Sequence, residues 1–206
     1  MRSFETDRYA GVKLITLHFI DSLVSLTSLD LTCSNISNEF LSSIAMKGLP
    51  LTRLVLRNCT GYAYDGTLCL LSKSKCLQHL DLQYTRFLND EHLYDTHMVQ
   101  LSSFLSNLIS VNLSHCRKLT KSTLFALARN CLSLSEIKME YTLIGKESTE
   151  NSNSFIDFVV RRQLKSLRLA HNFWLRDENI IMFASMFPNL QLLDLSYCDH
   201  ISEHML

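Results

Sequence analysis

The sequence is poor in the features that most often announce a chemistry. Five glycines in 206 residues form no glycine-rich loop to cradle a phosphate. Basic and acidic residues number 20 each, so the formal net charge is zero. The basic excess of a general nucleic-acid or membrane-surface binder is missing. No run approaches the ~20 apolar residues that span a bilayer. The opening segment Met1-Arg2-Ser3-Phe4-Glu5-Thr6-Asp7-Arg8 carries both charge signs and does not read as a secretory signal. The seven cysteines include no Cys-x-x-Cys pair. Neither Cys69 with Cys76, His92 with His97, nor Asp199-His200 has metal-ligand spacing. No cofactor, metal, nucleic acid or membrane is therefore expected.

What the chain has instead is a spaced apolar motif. Leu-x-x-Leu-x-Leu appears at Leu26, Leu51, Leu77, Leu164 and Leu190. Conservative versions stand at Leu108-x-x-Val111-x-Leu113 and Leu134-x-x-Ile137-x-Met139. Successive starts lie 25 to 31 residues apart, the sequence mark of a repeat solenoid. The last two apolar residues of each motif alternate as in a strand and face one side. Just past them stand Thr32-Cys33, Asn58-Cys59, His115-Cys116 and Tyr197-Cys198, whose polar or cysteine residue is expected to turn inward and tie off backbone groups where the strand ends. A second pattern follows with spacing i, i+3, i+4: Leu41-x-x-Ile44-Ala45, Leu101-x-x-Phe104-Leu105, Leu124-x-x-Leu127-Ala128, Phe155-x-x-Phe158-Val159 and Ile180-x-x-Phe183-Ala184. It marks one face of a helix. Repeat two is weakest, with only Leu68-x-x-Leu71 and with Gly61 and Gly66 interrupting. Each repeat is expected to be strand, turn, short helix and return, with Leu49-Pro50 and Phe187-Pro188 closing two of the returns. The fold class is α/β: a right-handed leucine-rich-repeat horseshoe, parallel sheet on the concave face, short helices on the convex face. Residues 1–25 are expected to form a capping helix or remnant repeat. Residues 26–206 form about seven repeats, the last incomplete, with the chain expected to be a fragment or truncated product of poor solubility.

Leu108-Ile109-Ser110-Val111-Asn112-Leu113-Ser114-His115-Cys116-Arg117-Lys118-Leu119-Thr120, with Cys131 near the unit's end, resembles the cysteine-containing leucine-rich repeat. Leu190 to Ser202 is similar, with Cys198, Ile201 and Ser202 in place. Thr85, Thr142 and Asn172 replace the first Cys elsewhere, and Cys33 stands one position early. The chain thereby resembles plant F-box/leucine-rich-repeat proteins. The resemblance implies substrate recognition for an SCF-type ubiquitin ligase, with Skp1 and cullin reached through an F-box. No F-box helix set precedes Leu26, so that contact is expected only through a longer parent chain. The alternative is a stand-alone scaffold or a signalling or immune adaptor. Cysteines set in repeat register do not make a disulfide framework; reduced thiols in a cytoplasmic and/or nuclear protein are expected.

A protein partner is expected on the sheet face or its loop edge. The solvent side of the sheet is expected to carry Ser28, Val55, Ser114 and Ala170 among its residues and is mixed in sign, basic at Arg53 and Arg57 and acidic at Glu136 and Glu140. At the far end of the strands the column reads Cys33, Asn58, Tyr84, His115, Tyr141, His171, Tyr197. Tyrosine brings contact area and a polar tip with few torsions to freeze, which suits an interface. The competing reading is local packing. Repeats three and five are longer by about four to five residues, placed between strand and helix as loops Asn89 to His97 and Gly145 to Ser154. His115 beside Cys116 is not read as a catalytic pair, because neighbours on a strand point to opposite faces, and no enzyme activity is expected.

Overall fold

The computed structural model describes residues 3–4, 24–146 and 160–202. Eight short parallel strands form one sheet in chain order. They are β1 (Ser3–Phe4), β2 (Ser28–Asp30), β3 (Arg53–Val55), β4 (His79–Asp81), β5 (Ser110–Asn112), β6 (Glu136–Lys138), β7 (Ser166–Arg168) and β8 (Leu192–Asp194). Each of the last seven is centred on the middle apolar residue of its motif. Ser28 pairs with Arg53, Arg53 with His79, and so on in line to Leu192. The leucines fix this register. A slip of one residue would turn a whole buried set to solvent. Ser3 pairs with Ser28 one repeat-length later.

Between strands run α1 (Asn38–Lys47), α2 (Tyr64–Lys73), α3 (Asp95–Ser102), α4 (Lys121–Asn130) and α5 (Asp177–Met186). Local chemistry sets their ends. The Ser37 hydroxyl accepts from the Phe40 amide at 3.2 Å, and Gly48 closes α1 at φ 59°. Thr120 caps α4. Asp177 and Glu178 occupy the first turn of α5, the positive end of its dipole. The core runs between sheet and helices. Leu31, Leu56, Leu82, Leu113, Met139 and Leu169 are sealed against Leu41, Leu71, Leu101, Leu127 and Phe183.

Helix starts also bond to the next repeat. Asn38 Oδ1 accepts from the Ala63 amide, and Asp177 Oδ1 from the Ser202 amide. Asp95 accepts from the amide and hydroxyl of both Thr120 and Thr123. Sequence periodicity does not reveal these bonds, because each joins residues 25 to 28 positions apart.

Three sequence readings need correction. The expected helix around Leu101-x-x-Phe104-Leu105 starts earlier: α3 ends at Ser102, and Phe104–Leu105 lie in the turn beyond it. Leu101 and Leu105 are both buried, so the spacing reflects burial around a helix end. Gly66 does not interrupt the turn of repeat two but lies inside α2. A Cβ there would come within 2.5 Å of Asn38 Oδ1, so the glycine lets α2 close on α1. Gly61 does hold the turn, at φ 88°. On the sheet face, Val55, Ser28, Ser114 and Ala170 are buried rather than solvent-facing. The helix reading at Phe155–Val159 and most of Gly145 to Ser154 fall outside the described residues, as does most of the N-terminal segment.

The long third repeat behaves as its length implies. Asp95 follows His79 by 16 residues, against 11 from Ser110 to Lys121. The excess lies between strand and helix. It forms a 3-10 turn at Leu88–Asp90 and an antiparallel bridge from Arg86 to His92. His97 itself belongs to α3.

Candidate functional site

The column at the strand ends is an unusual piece of backbone. Cys33, Asn58, Tyr84, His115, Tyr141, His171 and Tyr197 all adopt left-handed conformations, φ 51° to 64°. For residues other than glycine this costs roughly 1–2 kcal/mol each, with asparagine the best tolerated. The neighbouring repeat offsets the cost. The amides of Cys33, Asn58, Tyr84, His115, Tyr141 and His171 donate to carbonyls of Arg57, Gln83, Ser114, Glu140, Ala170 and Ser196 at 2.8 to 3.2 Å. The sheet thus continues past the strands as a ladder of one bond per repeat.

The left-handed turn sends the next residue inward. Ser34, Cys59, Thr85, Cys116, Thr142, Asn172 and Cys198 are all buried. The thiols of Cys59, Cys116 and Cys198 donate to the carbonyls of Leu31, Leu82 and Leu169, one repeat back. Asn172 donates to the Met139 and Leu169 carbonyls and accepts from Thr142. The inward residue therefore ties off backbone carbonyls where the strand ends, as expected at Cys59, Cys116 and Cys198. In repeat one the expectation is corrected: Cys33 is exposed and Ser34 is the buried residue.

The same turn throws the aromatic side chains outward, where they stack. Tyr84 lies on His115 at 3.9 Å between centroids, His115 on Tyr141 at 4.4 Å, Tyr141 on His171 at 4.1 Å and His171 on Tyr197 at 4.3 Å. The interplanar angles are 8° to 16°. This spacing follows from the roughly 4.8 Å strand separation, which holds successive rings near contact distance. Tyr84 is 42% and Tyr197 68% exposed, and the rings between are half-buried. Burial, then Arg117, Arg57 and His171, lowers the pKa of His115. Its Nδ1 is buried and has no hydrogen-bond partner among the described residues.

The sheet face differs in character. Asp30, Asp81, Asn112 and Asp194 each bind the amide two residues on, so their side chains serve the strand end. The Ser196 hydroxyl and amide, then Arg168, hold the Asp194 carboxyl below the usual range. Glu136 pairs with Lys138 at 3.2 Å, and His79 Nδ1 meets Ser110 Oγ at 2.8 Å. Arg53 and Arg57 are exposed, while Glu136 and Glu140 are half-covered. The structure therefore joins Tyr84, His115, Tyr141, His171 and Tyr197 into one surface. Of the four charged candidates, Arg53 shares one sheet-face hollow with Arg57 and another with Glu136, while Glu140 lines neither.

Cys116 and His115 form no dyad. The thiol points inward to the Leu82 carbonyl and burial pushes its pKa up to about 12, while the imidazole stacks outward. No cluster of metal-ligating side chains occurs among the described residues. No described helix is long and apolar enough to cross a membrane. Sequence reasoning passed over Arg86, His92 and Arg117, which border the ridge at Tyr84 and His115. The signal was available: Arg86 and Arg117 each stand two residues past the ridge column.

Comparison with known proteins places this geometry. A family profile described as Leucine Rich repeat matches residues 22–45. Among solved structures, one chain of the crystal structure of the mouse RP105/MD-1 complex is similar, with 22% identity over 85% of this chain and a TM-score of 0.54. This chain spans 26% of that one's length. No curated protein matches in sequence. The fold is a leucine-rich-repeat solenoid, an architecture that presents an extended surface suited to protein binding.

Proposed function

We propose that the chain is a protein-recognition module and that the stacked Tyr/His ridge is its partner-contacting surface. One observation carries the reading: five aromatic rings line up half-exposed at a backbone position that repeats one and two fill with Cys33 and Asn58. The fold does not need aromatics there. Aromatic side chains with polar tips are the residues that dominate protein interfaces.

The finer reading is that this module recognises substrates for an SCF-type ubiquitin ligase in the cytoplasm or nucleus. The cysteine-type repeats at Leu108–Thr120 and Leu190–Ser202 support it by resemblance. Co-purification of Skp1 with a full-length parent protein tests that assignment, and its absence removes the ligase role without touching protein binding. For the surface itself, proximity labelling in cells supplies partners. Alanine at Tyr84, His115 and Tyr141 together is expected to abolish capture of a confirmed partner. If capture survives that change but falls on altering Arg53, Arg57, Glu136 and Glu140, the sheet face is the site and the ridge is packing.

A further inference from the structure

The ridge is not uniform along its length. The position two residues past it reads Asn35, Thr60, Arg86, Arg117, Leu143, Phe173 and Asp199 through the repeats. The middle of this flanking column is thus basic over repeats three and four and apolar over repeats five and six. Around Tyr84 and His115 a hollow of about 50 Å³ is lined by Thr85, Arg86, His92 and Arg117. Arg57 approaches the same step from the sheet side, in a hollow that also includes Tyr84. Arg57 and Arg117 are exposed, and neither guanidinium has a hydrogen bond or an acidic partner among the described residues. Two carboxylates share the Arg57 hollow and both are committed: Asp30 accepts from the Thr32 amide and hydroxyl, and Asp81 from the Gln83 amide and Asn112. Glu91 faces His97. Both arginines lie close enough to His115 to disfavour its protonated form. The hollow on the Arg117 side is lined by no carboxylate, so positive potential gathers on that side of the step. Two repeats on, Phe173 is exposed and touches His171 edge-on at 6.4 Å.

We propose that the ridge takes an extended acidic peptide segment of a partner protein. One carboxylate sits over the Tyr84–His115 step between Arg57 and Arg117. An apolar side chain of the same segment lies over Leu143 and Phe173. Spacing sets the peptide's pattern. From repeat four to repeat six is about 10 Å at two strand separations, and an extended chain advances about 3.3 Å per residue. The acidic and apolar residues are then three apart. Charge complementarity selects this occupant: a basic segment would meet unpaired guanidinium groups and lose binding. The inference rests on the ridge being a protein-contacting surface.

The test uses the whole chain and a fluorescein-labelled peptide, Ser-Glu-Glu-Ser-Gly-Phe-Leu-Ser, followed by anisotropy. The control peptide carries Lys in place of both Glu. The acidic peptide is expected to bind saturably, and the lysine peptide not at all. Arg57→Glu with Arg117→Glu is expected to weaken the acidic peptide by about tenfold or more, as the loss of charge-assisted bonds implies. Phe173→Ser is expected to weaken it several-fold and Arg129→Glu, on α4, to leave it unchanged. If the double charge reversal disturbs the fold by circular dichroism, Arg57→Gln with Arg117→Gln replaces it, with the same direction of effect. Equal binding of both peptides, no binding up to about 1 mM, or indifference to the arginine changes overturns the proposal. A partner that contacts the ridge through a segment without acidic residues also overturns it, while leaving the protein-binding reading intact.

Discussion

Repeats one and two and repeats three to seven share one backbone and differ in what they hang on it. All seven hold the ridge position near φ 60° and, where a following repeat is present, bond its amide to that repeat's carbonyl. The first two use Cys33 and Asn58, whose side chains meet only at 3.5 Å, amide to sulfur. The later five use Tyr and His, whose rings stack without a break. The backbone is thus held by inter-repeat hydrogen bonds, and the side chain there is free to vary. The inward position one residue on shows the opposite constraint. It is Ser, Cys, Thr or Asn in every repeat, always small, polar and buried. One column is dictated by the fold, and its neighbour is available for recognition.

The most damaging change is expected in the dictated column. Asn172 is fully buried and bonds Met139, Leu169 and Thr142. Asn172→Ala strands several buried polar groups and is expected to cost about 3–4 kcal/mol in urea unfolding. A cost under about 1 kcal/mol would mean that the two columns are equally permissive. Next comes Tyr141→Val. It removes two ring stacks and puts a β-branched residue at φ 54°, with an expected cost of about 2–3 kcal/mol. Tyr141→Asn suits the left-handed backbone and is expected to cost about half as much. If both variants unfold alike, stacking rather than backbone conformation dominates.

Asn58→Tyr sharpens the contrast in the other direction. It extends the ladder by one ring onto Tyr84 and is expected to add about 0.5–1 kcal/mol, read as a higher melting temperature. No gain would show that the rings do not stabilise one another. The pH response is smaller. His115 has a lowered pKa in the fold, so as pH falls below its ordinary value near 6.5 the unfolded chain takes up the proton first. Stability is then lost through that range, down to the folded pKa. His115→Asn is expected to flatten that part of the profile relative to the parent chain. The smallest effect concerns thiols. Cys33 and Cys76 are exposed and are expected to react with Ellman's reagent in the native state. Cys59 and Cys116, pushed up to about 12 by burial, are expected to react only on unfolding.

The motif spacing made the strands, their register and the inward polar position legible before any coordinates. Each follows from a leucine period that a single repeat already contains. The helices α1, α4 and α5 were equally readable from Leu41, Leu124 and Ile180. The start of α3 was not, because Leu101 and Leu105 are buried on either side of a helix end and imitate helical spacing. The ridge was visible as a column of residue types. Its left-handed backbone was not, since Tyr rarely adopts that conformation and the bonds that enforce it cross between repeats. The basic flank was missed because Arg86 and Arg117 gain meaning only when stacking sets them beside the same two rings.

The central claim is that partners sit on the ridge. Site-specific photocrosslinking tests it most directly, with benzoylphenylalanine placed at Tyr84 or Tyr197 and, as controls, at Met46 and Leu132. The controls are 80% and 57% exposed but lie on α1 and just beyond α4. The account predicts partner adducts from the two ridge sites and none from the controls. Adducts from Met46 or Leu132 with none from Tyr84 or Tyr197 would contradict it.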